Sequence, residues 1–340
     1  MDIHQNYDLS HCNSFAVPAK ARAYGEVRSK QDLVQAMAYA VEQELPLFVL
    51  GGGSNVLFTA DYPGLVVHIA LRGIETNPLG TEQVELLAGA GENWHQLVMY
   101  CLKNKLYGIE NLALIPGTVG AAPIQNIGAY GVELADVFVG LEAVEVSSGR
   151  TLMMDRDACE FGYRDSIFKH SLEGQVVITC VSLRLETRAS PEIGYPALAS
   201  ELATTDSAAV TPEQVANAVM AVRRSKLPDP ELLPNCGSFF KNPLVSRQQY
   251  ERLLADYGDV PGFPQPESPE LIKIPAAWFL DKTRWKGRRQ GAVGVHEHQA
   301  VVIVNHGGAS GADVMQLARA MQQSVAERFS VELEPEVRIV

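Results

Sequence analysis

Leu47-Phe48-Val49-Leu50-Gly51-Gly52-Gly53-Ser54-Asn55 runs four apolar residues straight into three glycines, a hydroxyl and an amide. An apolar tetrapeptide bounded by Pro46 and by glycine reads as a short buried strand. The glycine turn after it reads as a place where backbone approaches another surface closely. A dinucleotide fold of the Rossmann kind needs one more glycine in this loop, at the position Val56 holds. The second glycine loop, Gly89-Ala90-Gly91, fails in the same way because Trp94 stands where the glycine belongs. A Rossmann dehydrogenase is therefore disfavoured. The loop offers instead a row of backbone N–H groups, with the Ser54 hydroxyl and Asn55 amide, that can hold phosphate without a charged side chain. A purely structural glycine turn has the same local sequence.

Outward from this stretch, Leu33, Val34, Met37, Ala40 and Val41 stand at helical spacing and predict a helix over 31–44; a second strand is expected over 65–70. The beginning of the chain thus reads as a small α/β unit. The pattern then changes to β runs at 84–90, 141–154 and 176–185, the middle one turning at Ser147-Ser148-Gly149, with an amphipathic helix over 94–105. Thr211-Pro212-Glu213-Gln214 has the form of a capping box with proline at the first helical position, and Pro228-Asp229-Pro230 closes the helix it opens. A further domain is expected there. It holds a helix over 246–257, an extended loop stiffened by Pro261, Pro264, Pro266 and Pro269, a strand over 301–304, a long amphipathic helix over 310–329 and a closing strand over 331–340.

At 340 residues the chain suits two or three domains, and 46% hydrophobic with 20% charged residues excludes a disordered one. A net charge of −12 argues against nucleic acid and anionic membrane as partners, so an anionic ligand needs a local basic pocket. Five scattered cysteines with no Cys-x-x-Cys pair fit a reducing compartment, and the N-terminus shows neither a basic start nor an apolar core; the expected location is the cytoplasm. The longest uncharged run, 111–132, is long enough to span a membrane but contains Pro116, Pro123 and glycines at 117, 120, 128 and 131. It reads either as a loop pressed against a large uncharged surface such as an aromatic cofactor or as a tight interdomain turn.

No Walker loop, Gly-x-Ser-x-Gly elbow or metal-ligand spacing is present; His296-Glu297-His298 lacks the i, i+4 pair. Three residues stand in less generic surroundings. Arg164, in Phe161-Gly162-Tyr163-Arg164-Asp165-Ser166, is either in a buried ion pair with Asp165 or another acid or takes part in chemistry. Ser238 lies in Asn235-Cys236-Gly237-Ser238-Phe239-Phe240-Lys241-Asn242-Pro243, a mixture of small polar, aromatic and cationic residues that suits a ligand wall. Glu336, in Leu333-Glu334-Pro335-Glu336-Val337-Arg338, alternates with apolar positions and is otherwise a solvent-facing carboxylate or a partner of Arg338.

Taken in order, Asn13-Ser14-Phe15, Gly51 to Asn55, Gly89-Ala90-Gly91-Glu92-Asn93-Trp94, Pro116-Gly117-Thr118-Val119-Gly120-Ala121-Ala122-Pro123-Ile124-Gln125-Asn126-Ile127-Gly128-Ala129-Tyr130, Gly162 to Ser166, Lys226-Leu227-Pro228-Asp229-Pro230 and the Ser238 and Glu336 segments resemble the UDP-N-acetylenolpyruvoylglucosamine reductases of bacterial peptidoglycan synthesis, in the form with the longer substrate-domain loop. The resemblance spans nearly the whole chain. It implies an α+β protein with a two-part FAD-binding region of the vanillyl-alcohol-oxidase (PCMH) type, 1–72 and 73–226 completed by 330–340, and a smaller α/β substrate-binding domain over 227–329. The implied activity is NADPH-dependent reduction, through dissociable FAD, of UDP-N-acetylglucosamine enolpyruvate to UDP-N-acetylmuramate by a monomer.

The same resemblance implies residue roles. Gly51, Gly53, Ser54, Asn55, Pro116, Gly117, Gly120, Ala121, Ile124 and Gly128 would hold FAD; Arg164, Ser238 and Glu336 would be catalytic; Tyr195, Lys226, Asn242, Gln299 and Arg223 would contact substrate; no metal is expected. Phe263 departs from the tyrosine some members carry, and the basic cluster Lys282, Arg284, Lys286, Arg288 and Arg289 reads as a solvated loop or a phosphate-steering patch. A flavin oxidase of similar fold and a non-enzymatic flavin or nucleotide-sugar module are the alternatives.

Overall fold

The computed structural model describes residues 1–203, 209–265 and 268–340, and in it the chain divides into two compact units. One comprises Met1–Tyr7, Ala21–Gly53 and Tyr62–Ser225; the other comprises Asp8–Lys20, Ser54–Asp61 and Lys226–Val340.

The strand Leu47–Leu50 forms as its sequence predicts and pairs in parallel with Tyr62–Ile69, which pairs in parallel with Lys20–Val27. The helix Lys30–Glu42 starts at Ser29, whose hydroxyl accepts from the Asp32 N–H, and it buries Leu33, Ala36, Met37 and Ala40. Each large side chain of that stripe contributes roughly 1.5–3 kcal/mol by leaving water. Val34 and Val41, expected on the stripe, are instead 50% and 77% exposed. They stand seven residues apart on a line beside the Leu33–Met37–Ala40 stripe, so apolar spacing alone did not select the packed face.

A five-stranded antiparallel sheet follows in the same unit, in the order Thr151–Asp155, Phe138–Glu145, Val176–Glu186, Gln83–Gly89, Ile74–Leu79. The helices Trp94–Lys103 and Pro212–Lys226 bury Leu97, Val98, Cys101, Val215 and Val219 in the core shared with that sheet. The first ends two residues short of 105 because Asn104 caps it and Lys105 turns left-handed at φ +57°. The second begins with the expected capping box: the Gln214 N–H donates to the Thr211 hydroxyl at 3.3 Å and the Thr211 N–H to Gln214 Oε1 at 2.8 Å.

In the other unit, Asn235–Ser238, Val302–Asn305, Val293–Val295 and Arg289–Gln290 make an antiparallel sheet, and the long helix Gly311–Phe329, capped reciprocally by Ser310 and Asp313, buries Val314, Leu317, Ala318, Met321 and Val325 as its sequence predicts. A second sheet joins Leu244–Ser246, Leu271–Lys273 and Phe263–Pro264, so part of the proline-stiffened loop is an edge strand; Pro266 lies outside the described residues. The expected closing strand over 331–340 shrinks to Arg338–Ile339, paired in parallel with Val56–Leu57. Pro335 lacks an N–H, and upstream of Arg338 only an isolated bridge to Phe240 marks a strand-like pairing.

Candidate active site

In the first unit three glycine segments lie backbone against backbone. A side-chain carbon at Gly51 would lie 2.6 Å from the Thr118 hydroxyl, at Gly52 3.0 Å from the Gly117 Cα, and at Gly120 2.5 Å from the Ala90 Cβ. Hydrogen bonds lace the crossing: Trp94 N–H to Gly117 O at 3.1 Å, Val119 N–H to Glu92 O at 2.8 Å and Gly120 N–H to Ala90 O at 2.8 Å. Glycine is needed here for close approach between loops. One edge of the crossing remains open in its hydrogen bonding. Among the described residues the N–H groups of Gly52, Gly53 and Ser54 donate to no protein acceptor, although Gly53 is buried with φ +63°. Successive unsatisfied amides suit a diphosphate, so this loop fits FAD.

The uncharged run 111–132 is a chain of tight turns: the 3-10 turns Val119–Ala121 and Pro123–Gln125, then the hairpin strands Gly128–Ala129 and Val132–Glu133. Tyr130 and Gly131 make its two-residue turn with φ +51° and +89°, the primed geometry that matches strand twist. Arg164 reaches this hairpin. Its Nη2 donates to the Gly128 carbonyl at 2.7 Å, and a side-chain carbon at Gly128 would lie 3.3 Å from its Nη1. Asp165, the expected ion-pair partner, receives His170 Nε2 at 2.8 Å instead.

Tyr130 also gathers two residues expected to meet substrate. Its ring packs edge-on against Tyr195 with centroids 5.4 Å apart, and its phenol is within electrostatic reach of Arg223. Burial pushes the Arg223 guanidinium below its usual value, which Tyr130 counters and Arg164 reinforces; its Nε is enclosed without a hydrogen bond. Burial likewise pushes the Tyr130 phenol up. Arg223, coupled on one side to the Tyr130 phenol and on the other to the Arg164 guanidinium, makes a local positive centre on an acidic protein. Tyr130 is marked in the sequence only as a bulky residue between Ala129 and Gly131, where a primed turn favours small or amide side chains.

In the second unit the Ser238 segment and the C-terminal segment run side by side. Glu336 N–H donates to Phe239 O at 2.8 Å, Lys241 N–H to Glu334 O at 2.9 Å, and Phe240 bridges Pro335. Phe239 and Phe240 are fully buried and anchor the pair, leaving Ser238 exposed at the end of the strand Asn235–Ser238 and Glu336 half-buried beside it. The Asn55 side chain donates to Glu336 O at 3.2 Å, so this amide braces the carboxylate-bearing segment. Asn242 Oδ1 accepts from the Ala276 N–H at 2.9 Å and starts the helix Ala276–Lys282. Gln299 is half-buried in the turn before Val302–Asn305, while Lys226, at the end of its helix, is exposed. The basic cluster is largely engaged locally. Lys282 pairs with Asp259 at 3.0 Å, Lys286 with Asp281 at 3.0 Å, and Arg288 lies over the Trp285 ring at 5.0 Å. Phe263 is half exposed on its edge strand. No group of three or more His, Cys, Asp or Glu among the described residues is arranged to hold a metal, and no described helix is long and apolar enough to cross a membrane.

The family model described as "FAD binding domain" matches residues 21–155, and the one described as "UDP-N-acetylenolpyruvoylglucosamine reductase, C-terminal domain" matches 229–340. The chain is 46% identical over 340 residues to the UDP-N-acetylenolpyruvoylglucosamine reductase of Amoebophilus asiaticus, covering 100% of both chains. It is 46% identical over 336 residues to that of Pseudomonas aeruginosa, covering 99% of this chain and 98% of the relative. Among solved structures, UDP-N-acetylenolpyruvylglucosamine reductase from Thermus caldophilus aligns with a TM-score of 0.68 at 23% identity, over 99% of this chain and 98% of that one, a likeness of fold. The FAD-binding domain, the glycine crossing with its unsatisfied amides, and identity sustained from end to end agree: the chain belongs to the UDP-N-acetylenolpyruvoylglucosamine reductase family.

Proposed function

We propose that the protein reduces the enolpyruvyl group of UDP-N-acetylglucosamine enolpyruvate to give UDP-N-acetylmuramate, a step of peptidoglycan synthesis, with NADPH as co-substrate and FAD as dissociable cofactor. The observation that carries this reading is a hydroxyl, Ser238, and a carboxyl, Glu336, held on adjacent segments in a chain of this family. When bound, FAD supplies the hydride relay from NADPH to carbon 3 of the enolpyruvyl group.

Hydride at that carbon leaves negative charge on carbon 2 and the adjoining carboxylate, and the protein's part is to hold that charge and deliver a proton. Ser238 donates the proton to carbon 2. Arg164 and Glu336 take up the charge through hydrogen bonds, Glu336 acting in its protonated form or beside a cation, since a bare carboxylate would repel the intermediate. Lys226 and Tyr195 meet the substrate diphosphate, Asn242 and Gln299 its polar groups, with Arg223 as their neighbour. Gly51, Gly53, Ser54 and Asn55 would hold the FAD diphosphate, and Pro116, Gly117, Gly120, Ala121, Ile124 and Gly128 would hold the rest of the cofactor. Flavin binding belongs to 1–72 and 73–226 with 330–340, and sugar-nucleotide binding to 227–329. The working form is a cytoplasmic monomer.

Purified protein is expected to be yellow and to oxidise NADPH only when the enolpyruvyl sugar nucleotide is added. Rapid turnover with oxygen in its absence would support the oxidase alternative, and ligand binding with no NADPH consumption the non-enzymatic one.

A further inference from the structure

Arg164 sits at φ +54°, a left-handed conformation that a long side chain adopts only when its surroundings hold it. It is the third residue of a four-residue turn closed by Gly162 N–H to Asp165 O at 3.0 Å and Asp165 N–H to Gly162 O at 3.3 Å. Turns of this shape favour glycine or asparagine at that place. Something beyond the turn must therefore keep it.

Asn126 does so from the far side. It is 1% exposed, itself left-handed at φ +42°, and every polar atom of its side chain is used. Nδ2 donates to the Gly162 carbonyl at 3.2 Å and to Glu133 Oε2 at 2.7 Å, and Oδ1 accepts from the Ala135 N–H at 2.9 Å. One amide thus ties the Arg164 turn to the hairpin whose Gly128 carbonyl receives the Arg164 guanidinium. Lys169 completes the grip, its Nζ donating to the Arg164 carbonyl at 2.9 Å, and the Ser166 hydroxyl donates to Ile124 O at 2.7 Å.

We propose that Asn126 and Lys169 are positioning residues for Arg164: they hold the turn 162–165 against the Gly128 hairpin, so that Arg164 presents its guanidinium in one orientation. The proposal rests on the reading of Arg164 as the group that takes up charge during substrate reduction. A hydrogen-bonded cation misplaced by about 1 Å loses on the order of 100-fold in rate.

The test uses the FAD-loaded full chain and follows two rates separately: reduction of the flavin by NADPH alone, and reoxidation of the reduced enzyme by the enolpyruvyl sugar nucleotide. The variants are Asn126→Asp, Lys169→Met, Arg164→Lys and the double variant of Asn126→Asp with Arg164→Lys. Asn126→Asp keeps size, left-handed tolerance and Oδ1 but loses both donors. Asn126→Asp and Lys169→Met are expected to slow reoxidation on the order of tenfold while flavin reduction stays within about twofold, and the double variant to be no slower than Arg164→Lys alone. An unchanged reoxidation rate, equal loss in both half-reactions, or additive loss in the double variant overturns the proposal. If Asn126→Asp fails to retain FAD, Lys169→Met decides by the same criteria. A wild-type reoxidation rate in Arg164→Lys would instead bring down the assigned role of Arg164 itself.

Discussion

The glycine crossing of the first unit and the Ser238–Glu336 ledge of the second, the two sites proposed above, are made of opposite materials. At the crossing, loops 51–53, 89–92 and 117–121 meet where side chains have no room, and what they offer outward is backbone N–H. On the ledge, Phe239 and Phe240 are buried in the core, with Ser238 exposed and Glu336 half-buried on the adjoining segments. The difference teaches that a backbone-made site is damaged by adding atoms and a side-chain-made site by removing them. It also separates stability from chemistry, because the crossing is part of the packed structure while Ser238 is exposed.

The comparison can be broken most decisively at Ser238. Ser238→Ala is expected to slow reduction of the sugar nucleotide by about 10²–10⁴-fold, with flavin reduction by NADPH and the melting temperature unchanged. A parallel fall in both half-reactions would remove Ser238 as proton donor. Next, Gly120→Ala brings a methyl to 2.5 Å from Ala90 Cβ and 3.1 Å from the Ala90 Cα and carbonyl oxygen, an overpacking cost of about 1–3 kcal/mol. Lower melting temperature and a reduced flavin-to-protein absorbance ratio should appear together. Normal FAD content would mean that the crossing yields more easily than its geometry indicates.

A smaller effect sharpens the contrast by touching neither region. Thr211→Ala removes one half of the capping box and should lower stability by about 1 kcal/mol in thermal unfolding, with turnover per bound flavin unchanged. The smallest concerns pH. Burial, then Arg224 and Arg223, hold His95 below its ordinary value of 6.5, and burial does the same for His68. The unfolded chain binds these protons first as pH falls, so the stability from keeping the rings neutral is complete above about pH 6.5 and declines below it. Thermal unfolding between pH 5 and 7 should show that slope, and His95→Gln should flatten it; an unaltered slope would assign it to other groups.

Elements whose cause is local were legible in the residues. The strand before Gly51, the capping box at Thr211 and the apolar stripe of Gly311–Phe329 all follow from spacing within a few turns. Val34 and Val41 were misread because periodicity finds an apolar stripe but not which neighbouring apolar residues the packing will leave outside. At the site, the candidate types were legible and their partners were not. Asp165 beside Arg164 in sequence looked like its counter-ion, yet a left-handed turn sends the two side chains to Gly128 and His170. Asn126 gave no signal beyond being one polar residue in an uncharged run.

The sequence by itself therefore determined that this chain lacks a Rossmann loop, that a glycine-rich turn follows the strand before Gly51, and that Arg164, Ser238 and Glu336 lie in segments that resemble those of a known family. Only the tertiary structure decided that Gly51 meets Thr118, that Asn126 grips the Arg164 turn, and that Asn55 reaches 281 positions along the chain to the Glu336 carbonyl. The physical reason is range. Helix and turn signals arise from hydrogen bonds among near neighbours, whereas these contacts depend on which surfaces fill space together once the core has formed.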